Sequence, residues 1–433
     1  MDNETKEKKE SDEITDLQLT LSILKKYGPW IILGIILIAG FWIRSYHLSY
    51  PVVGYHNWKE THYLTEARNF AQDGFANDGL FIPHWDYPGA HDPSSGAHGD
   101  SFPTGPLATS LLFMLFGPSL VVARLVSIFF VLGAVLCAFL IVRRLFQRTD
   151  LALATAAFMA LNPLLVFFGR SGADVINAGL FFLLLGVYLY LRWIEKPSYA
   201  NLVGFSLCIT LGLLSKYPNA LMGIPMAAIF PWERLVKKEH FKKFWKHLLI
   251  FALIFSLIFL WVGYSSYVST KLGTLDVGTQ VRLVDFGVLF TGEFWQVMRA
   301  FAADNFTLPG VVVVLLSAVL FCIRSIRSVK NWSSGDRGVK FMFAYLAGTV
   351  VWFVVMSFKL KGHSYHQYPL VFLFSFLLAY GAVFVAASLA KLPALIGIKK
   401  ASVSNGLKYL LLFGAVVLFF SAAETAWQRQ FNT

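Results

Sequence analysis

Between His47 and Pro103 the sequence reads HLSYPVVGYHNWKETHYLTEARNFAQDGFANDGLFIPHWDYPGAHDPSSGAHGDSFP, holding six of the chain's ten histidines with a dense set of acids and aromatics. If this stretch is helical from about Asn57 to Ala71, His56, Glu60 and Tyr63 share one face at i, i+4 and i+7, with His62 beside them. A carboxylate next to imidazoles suits general-base removal of a proton from an acceptor hydroxyl. The same spacing also fits an interfacial amphipathic helix with Trp58 and Tyr63 as its aromatic belt, so spacing alone leaves both readings open. His84, Asp86, His91, Asp92, His98 and Asp100 are metal-ligand types, with His84, Asp86 and His91 the foremost set. Their spacing matches no standard zinc pattern, and a Gly/Pro/Ser-rich solvated turn accounts for them as well. No metal or other cofactor is expected to be required.

Further along, Asp174 opens an apolar run just after Arg170, which suits a helix N-cap and would hold its carboxylate rigidly. Lys216, Lys359, Lys361, Arg170, Arg282 and Arg299 fall at the same end of the expected spans. Cations facing a pocket there can hold a lipid-linked phosphate, although snorkelling to the interface also explains Lys359 and Lys361.

The elements that must position these groups are transmembrane helices. The 433 residues are 56% hydrophobic and 14% charged, too apolar for a soluble domain. In lipid the backbone must satisfy itself, so the spans are helices. Apolar windows fall at 27–46, 120–142, 151–169, 174–193, 200–215, 217–232, 247–267, 308–325, 341–358, 368–390 and 407–425, an all-α polytopic membrane protein of about eleven spans. The pair 200–215 and 217–232 is read as a tight hairpin broken at Ser215-Lys216-Tyr217-Pro218. Residues 1–26 read as a charged cytoplasmic tail and 27–425 as one transmembrane domain. Residues 47–119 read as a large first extracytoplasmic loop with an interfacial helix at 104–117, 268–307 as a second large loop, and 426–433 as a short extracytoplasmic end.

With the N-terminus in the cytoplasm, most of the 37 Lys and Arg lie on the cytoplasmic side, as the positive-inside rule requires. The net charge of +12 then needs no nucleic-acid partner. Cys137, Cys208 and Cys322 show neither disulfide nor zinc spacing and read as core residues.

An ordered set of short motifs resembles the GT-C superfamily of membrane glycosyltransferases, in the branch of protein O-mannosyltransferases, ArnT and Rgt-like enzymes. His56-Asn57-Trp58-Lys59-Glu60-Thr61-His62 followed by Glu66-Ala67-Arg68-Asn69-Phe70 resembles the start of that family's first external loop. Phe102-Pro103 through Gly117, Ala123-Arg124-Leu125-Val126-Ser127, Asn162-Pro163 through Arg170 and Asp174, Leu213 through Pro218, and His363 through Pro369 follow in family order. The first-loop Asp-Glu pair of the family falls on Lys59-Glu60, so only Glu60 is acidic there.

The resemblance implies transfer of a sugar from a polyprenyl (dolichyl-type) monophosphate to a hydroxyl of a protein, glycolipid or glycan on the extracytoplasmic face, by an inverting displacement. It implies Glu60 as base with Asp174, His62 and His56 as catalytic partners, and Lys59, Arg170 and Lys216 on the donor phosphate. Tyr63, Asp100, His363, Tyr365, His366 and Gln367 would line the substrate. Rival classes are a transporter and a catalytically inactive GT-C-like scaffold. A transporter places ionisable groups near mid-membrane, whereas here they gather at one set of helix ends.

Overall fold

The computed structural model describes residues 26–76, 79–84, 97, 99, 101–272, 284–330, 336–395 and 400–431. The segment of Asp86, His91, Asp92, His98 and Asp100, together with Arg282 and most of the tail 1–26, lies outside them. In order, the helices are α1 (Lys26–Arg44), α2 (Asn57–Asp73), α3 (Thr104–Phe116), α4 (Leu120–Phe146), α5 (Thr149–Ala160), α6 (Pro163–Phe167), α7 (Val175–Glu195) and α8 (Tyr199–Ser215). Then come α9 (Gly223–Ala228), α10 (Glu233–Val236), α11 (Lys238–Phe255), α12 (Leu257–Leu272), α13 (Gly292–Phe306), α14 (Leu308–Lys330) and α15 (Arg337–Val355). The last are α16 (Ser357–Gly362), α17 (Val371–Leu389), α18 (Leu392–Leu395) and α19 (Ala401–Phe431).

Among the described residues, eight helical segments are long and apolar enough to cross a membrane, or nine if the bent pair α5–α6 is one span. The difference from eleven falls at 200–232. There α8 has 17 residues, and the returning arm is a 3-10 turn (Tyr217–Met222) followed by the six-residue α9. Pro218, Pro225 and Pro231 each remove a helical donor, which keeps this arm from becoming one long helix. It still folds back as a hairpin: Tyr190 Oη of α7 donates to the Met226 carbonyl at 2.8 Å.

Burial separates the centre of the bundle from its rim. In α4 and α7, 61% and 67% of the apolar window is buried, against 11% in α1 and in α19, so the first and last helices face lipid. Asn162 caps α6 by accepting from Leu165 N at 3.3 Å, and Pro163 sits at its first position, where a missing donor costs nothing. The α5–α6 pair bends by 59° at this break, and α6 runs through a 3-10 turn to Arg170. Asp174 then caps α7, its Oδ1 accepting from Ile176 N at 3.1 Å.

The expected interfacial helix is α3, with an inverted distribution. Thr104, Gly105, Thr109 and Ser110 are buried, while Leu111, Leu115 and Phe116 are exposed. Its small, polar face packs on the bundle and its apolar face meets the surroundings, as a helix lying against lipid requires. Gly105 sits against the Ala173 carbonyl, where any Cβ would overlap backbone.

The residues expected to form a tail at 426–433 are instead, as far as Phe431, the last turns of α19. The Asn305-Phe306-Thr307 sequon is not an open glycosylation acceptor, because Asn305 is fully buried and donates to Gln367 Oε1 at 2.8 Å.

Gly105→Val should lower stability in detergent by about 1–3 kcal/mol through overpacking. Gly34→Ala, with nothing within 4 Å of the added Cβ, should be neutral or slightly stabilising. Equal thermal midpoints for the two variants would contradict the α3–Ala173 contact.

Candidate active site

Helix α2 buries one face, made of Lys59, His62, Tyr63, Glu66, Ala67 and Phe70, at the i, i+3/i+4, i+7 spacing of a helix packed on a core. His56 precedes the helix in the left-handed region, at φ 56°, so it does not extend the Glu60 face as a helical residue would. Successive residues point about 100° apart on a helix, and Lys59 and Glu60 accordingly reach different partners.

Glu60 is held by Arg124 in a two-pronged pair, Nε to Oε1 at 2.8 Å and Nη2 to Oε2 at 3.1 Å. Its Oε1 also accepts from Gly172 N at 2.8 Å. Arg124 Nη1 donates to the carbonyls of His47, Leu48 and Tyr50 at 3.2, 2.9 and 2.7 Å. Lys59 turns to Asp174, Nζ to Oδ2 at 2.6 Å, with side chains 3% and 0% exposed. The two carboxylates grouped as catalytic partners are thus divided between two cations, and Asp174 is closed off from solvent.

Beside Glu60 lies a cavity of about 290 Å³, lined by Glu60, Arg124, Arg170 and His56 among Tyr46, Tyr50, Tyr55, Phe168 and Phe431. Arg170 donates to the His47 carbonyl at 2.9 Å and its guanidinium stacks 5.0 Å from the Phe431 ring. A separate gap of about 10 Å³ is lined by Lys216, Asn219, Tyr365, His366 and Tyr368. Lys59 neighbours both, its Nζ 4.1 Å from the Tyr365 ring and 5.2 Å from that of Phe168.

The His56 ring packs near Phe168, Tyr365 and His363, with centroids 5.4, 5.5 and 5.8 Å away. Burial, then the Lys59 charge and His363, push its pKa down to about 4. His363, stacked on Tyr365 at 5.0 Å, is lowered by burial and by Lys59, Lys359 and Lys216. Both imidazoles are therefore neutral at pH 7.

Of the residues singled out by sequence, Glu60, His56 and Arg170 meet in the cavity, and Lys216, Tyr365 and His366 meet at the gap. Lys59 and Asp174 line neither space; Lys59 lies against one lining ring of each, Phe168 of the cavity and Tyr365 of the gap. His62 does not join either space; its Nε2 lies 2.6 Å from Glu66 Oε1 on the same helix. Tyr63 is 5% exposed and packs in a small apolar cluster with Phe113 and Ala173, so it supports α2 rather than facing the cavity. Gln367 is engaged by Asn305. Asp100, Asp86 and His91 lie outside the described residues, and His84 forms an isolated bridge with Ala97. Among the described residues, no three His, Cys, Asp or Glu side chains come together to hold a metal.

Sequence reading undervalued Arg124 and missed Phe431. Arg124 had a signal, being a lone cation near the start of an otherwise apolar 27-residue helix until its last turn. Phe431 had none, since the polar residues around it resemble a chain end.

A family model for dolichyl-phosphate-mannose-protein mannosyltransferases matches residues 98–262. No curated protein matches the chain in sequence. Among solved structures, the chain is similar to an oligosaccharyltransferase of Archaeoglobus fulgidus crystallised with zinc and sulfate, at 16% identity and a TM-score of 0.52. That match covers 88% of this chain and 53% of the archaeal one, so the chain spans about half the archaeal enzyme's length. It is also similar to ArnT from Cupriavidus metallidurans in the apo state, with a TM-score of 0.53, 12% identity, and 93% and 76% of the two chains covered.

The depressed His56 value fixes a sign. Between about pH 6.5 and pH 4 the unfolded chain binds a proton at this residue that the folded chain refuses, so stability present above pH 6.5 is lost as pH falls through that window. His56→Phe should flatten the fall of the thermal midpoint over the same range. Identical slopes would show that His56 is not held neutral by its surroundings.

Proposed function

We propose that this chain, which has the fold of the GT-C membrane glycosyltransferases, moves a sugar from a polyprenyl (dolichyl-type) monophosphate to an acceptor hydroxyl. The observation that carries this reading is a carboxylate-bearing cavity and a lysine-bearing gap that both neighbour Lys59, which lies against Phe168 of the one and Tyr365 of the other. The matched family's description names a dolichyl-phosphate sugar, which supports a donor of that class. The positive-inside bias supports a cytoplasmic N-terminus and an extracytoplasmic site.

An inverting displacement brings nucleophile and leaving group to opposite faces of the anomeric carbon. The acceptor hydroxyl enters the cavity, where Glu60 takes its proton as the new oxygen–carbon bond forms. The bond from that carbon to the phosphate oxygen breaks, and negative charge grows on the leaving polyprenyl phosphate. Lys216 meets that charge across the gap, with Lys59 behind the Tyr365 ring. A groove of about 400 Å³ runs down α7, α8 and α11, lined by Leu183, Leu213, Trp193 and Phe251, and it shares Asn219 with the gap. Its apolar walls suit an isoprenoid chain.

Arg170, grouped by the family motif with the phosphate ligands, lines the Glu60 side. In this reading it serves the acceptor. Asp174 is a positioning residue that holds Lys59. His56 and His363, both neutral, present polar edges to the sugar without adding charge. A monophosphate leaves with less help than a diphosphate, so the transfer is read as metal-independent.

The test is transfer by the purified protein in lipid from radiolabelled polyprenyl-phosphate sugars to membrane extract, with and without EDTA. Glu60→Gln should lower kcat by roughly 100-fold or more, the scale of a lost general base. Asp174→Asn should also lose transfer, and EDTA should leave it unchanged. Transfer indifferent to both substitutions would remove the assigned roles, and no transfer from any donor by folded protein would remove the reaction itself.

A further inference from the structure

Far from the candidate site, three buried nitrogens lie together without a hydrogen-bond partner: Trp193 Nε1, Arg234 Nη1 and His247 Nδ1. Trp193 is 2% exposed. Its ring lies 6.2 Å from that of His247 and 5.9 Å from the Arg234 guanidinium. The His247 ring is held by stacking on Tyr199 at 4.9 Å and on Phe244 at 5.6 Å. Arg234 Nη2 donates to the Ile194 carbonyl at 3.0 Å, which leaves Nη1 for another partner. An indole and a guanidinium can only donate, and a buried donor left unpaired is destabilising. The cluster therefore suits an acceptor, and the guanidinium favours an anionic one.

The cluster stands at one end of the groove along α7 and α8, which Trp193, His247 and Phe251 line. Asn219, on the same lining, packs against Gly179. From Gly179 to Trp193 is fourteen residues of helix, about 21 Å along α7. Half the hydrocarbon core of a bilayer is about 15 Å, so the groove takes a lipid chain over its full depth. The same end is equipped for a membrane surface. Residues 233–246 carry six Lys or Arg against two Glu. Trp232 and Trp245 are 54% and 44% exposed, as aromatic residues at a headgroup layer are. Glu195, the last residue of α7, is taken by Arg144.

We propose that this end of the groove binds an anionic phospholipid, from the leaflet that the positive-inside rule makes cytoplasmic. The phosphate accepts from Trp193 Nε1 and Arg234 Nη1, and from His247 in the tautomer with its proton on Nδ1. One acyl chain lies between α7, α8 and α11, and the lysines of residues 233–246 surround the head. A soluble anion would leave the apolar groove unfilled, and a zwitterionic lipid would bring its own cation among the lysines. The site requires no sugar and no turnover, so it stands or falls apart from the reaction proposed above. In that reaction the donor's isoprenoid chain uses the same walls, and the bound phospholipid would compete with it.

The experiment places p-benzoylphenylalanine at Phe251 in the full chain, extending a ring that already lines the groove. The control position is Leu253, on the same helix and 61% exposed. Nanodiscs of phosphatidylcholine carry phosphatidylglycerol with the same acyl chains as a minor component. After irradiation, the ratio of phosphatidylglycerol to phosphatidylcholine captured at Phe251 should exceed that at Leu253 on the order of ten-fold, the scale of one charge-assisted hydrogen bond. Arg234→Gln and His247→Phe, the second of which keeps a stacking ring, should each bring the Phe251 ratio close to the control. Retention of the folded peak in gel filtration checks that the variants are intact.

Equal ratios at the two positions overturn the proposal, as does a Phe251 ratio unchanged in both folded variants. Displacement of the lipid by water-soluble glycerophosphoglycerol at equal concentration overturns it too, because the site would then be one for a soluble anion. The comparison of Phe251 with Leu253 needs neither variant, so it decides the matter even where a variant fails to fold.

Discussion

Arg124 ties together four stretches of chain that have no other reason to meet. Where the backbone leaves α1, the carbonyls of His47, Leu48 and Tyr50 are no longer in a helical ladder, and the Arg124 guanidinium gathers them. Its other edge grips Glu60 at the start of α2, and Glu60 in turn accepts the Gly172 amide ahead of α7. The pair is nearly closed to water, with side chains 4% and 12% exposed. Losing one partner of such a pair costs about 3–5 kcal/mol, mostly because the other charge is stranded. Once Glu60 is fixed, the helix's rotation per residue decides where Lys59 goes, and it goes to Asp174. The geometry of the site thus follows from one guanidinium near the start of α4.

The second pair is more constrained than the first. Asp174 accepts from Ile176 N with one oxygen and from Lys59 with the other, so its carboxylate has the helix end and the ammonium to balance it. Lys59 has the face of Tyr365 close above it, and a cation over a ring is favoured when both are dehydrated. The same ammonium lowers the pKa of both His56 and His363. Lys359 and Lys216 act on His363 in the same direction, so both imidazoles sit neutral among cations.

Periodic features were legible in the sequence because they depend only on neighbours. A helix beginning at Asn57, a helix at 104–117 and the Asp174 cap are local, and the structure has each of them; the break at Asn162-Pro163, inside a window read as one span, is local too but was not read. The family motifs, weak singly, matched the GT-C fold because their order along the chain is a global constraint. Pairings across long separations were not legible. Nothing near Glu60 in sequence says that its partner is Arg124 rather than Lys59, and nothing near Asp174 says that it will be sealed by Lys59. The 217–232 window looked like a span because its composition is apolar, but composition does not register the cost of three prolines. His62 was read with the catalytic group although Glu66, four residues on, offered a nearer partner on the same helix face. At the C-terminus, Trp427, Gln428, Arg429 and Gln430 look like solvated chain, yet a helix that ends beside a polar cavity needs such residues.

The two sides of the site differ in readiness, and that difference bears on the order of events in the proposed reaction. The Glu60 cavity is open in this structure, with about 290 Å³, whereas the Lys216 gap, at about 10 Å³, has no room for a phosphate. In the proposed reaction a donor reaches Lys216 once the lining of the gap moves, and Tyr365 and His366 form one side of that lining. Tyr365 lies over Lys59, so a shift of that ring in the proposed reaction would change the surroundings of the Lys59–Asp174 pair. Lys59 is adjacent in the chain to Glu60, on a helix too short to bend freely between them. Glu60, by contrast, keeps its Arg124 and Gly172 partners whichever way Lys59 turns, so in the proposed reaction the acceptor side is set before the donor arrives.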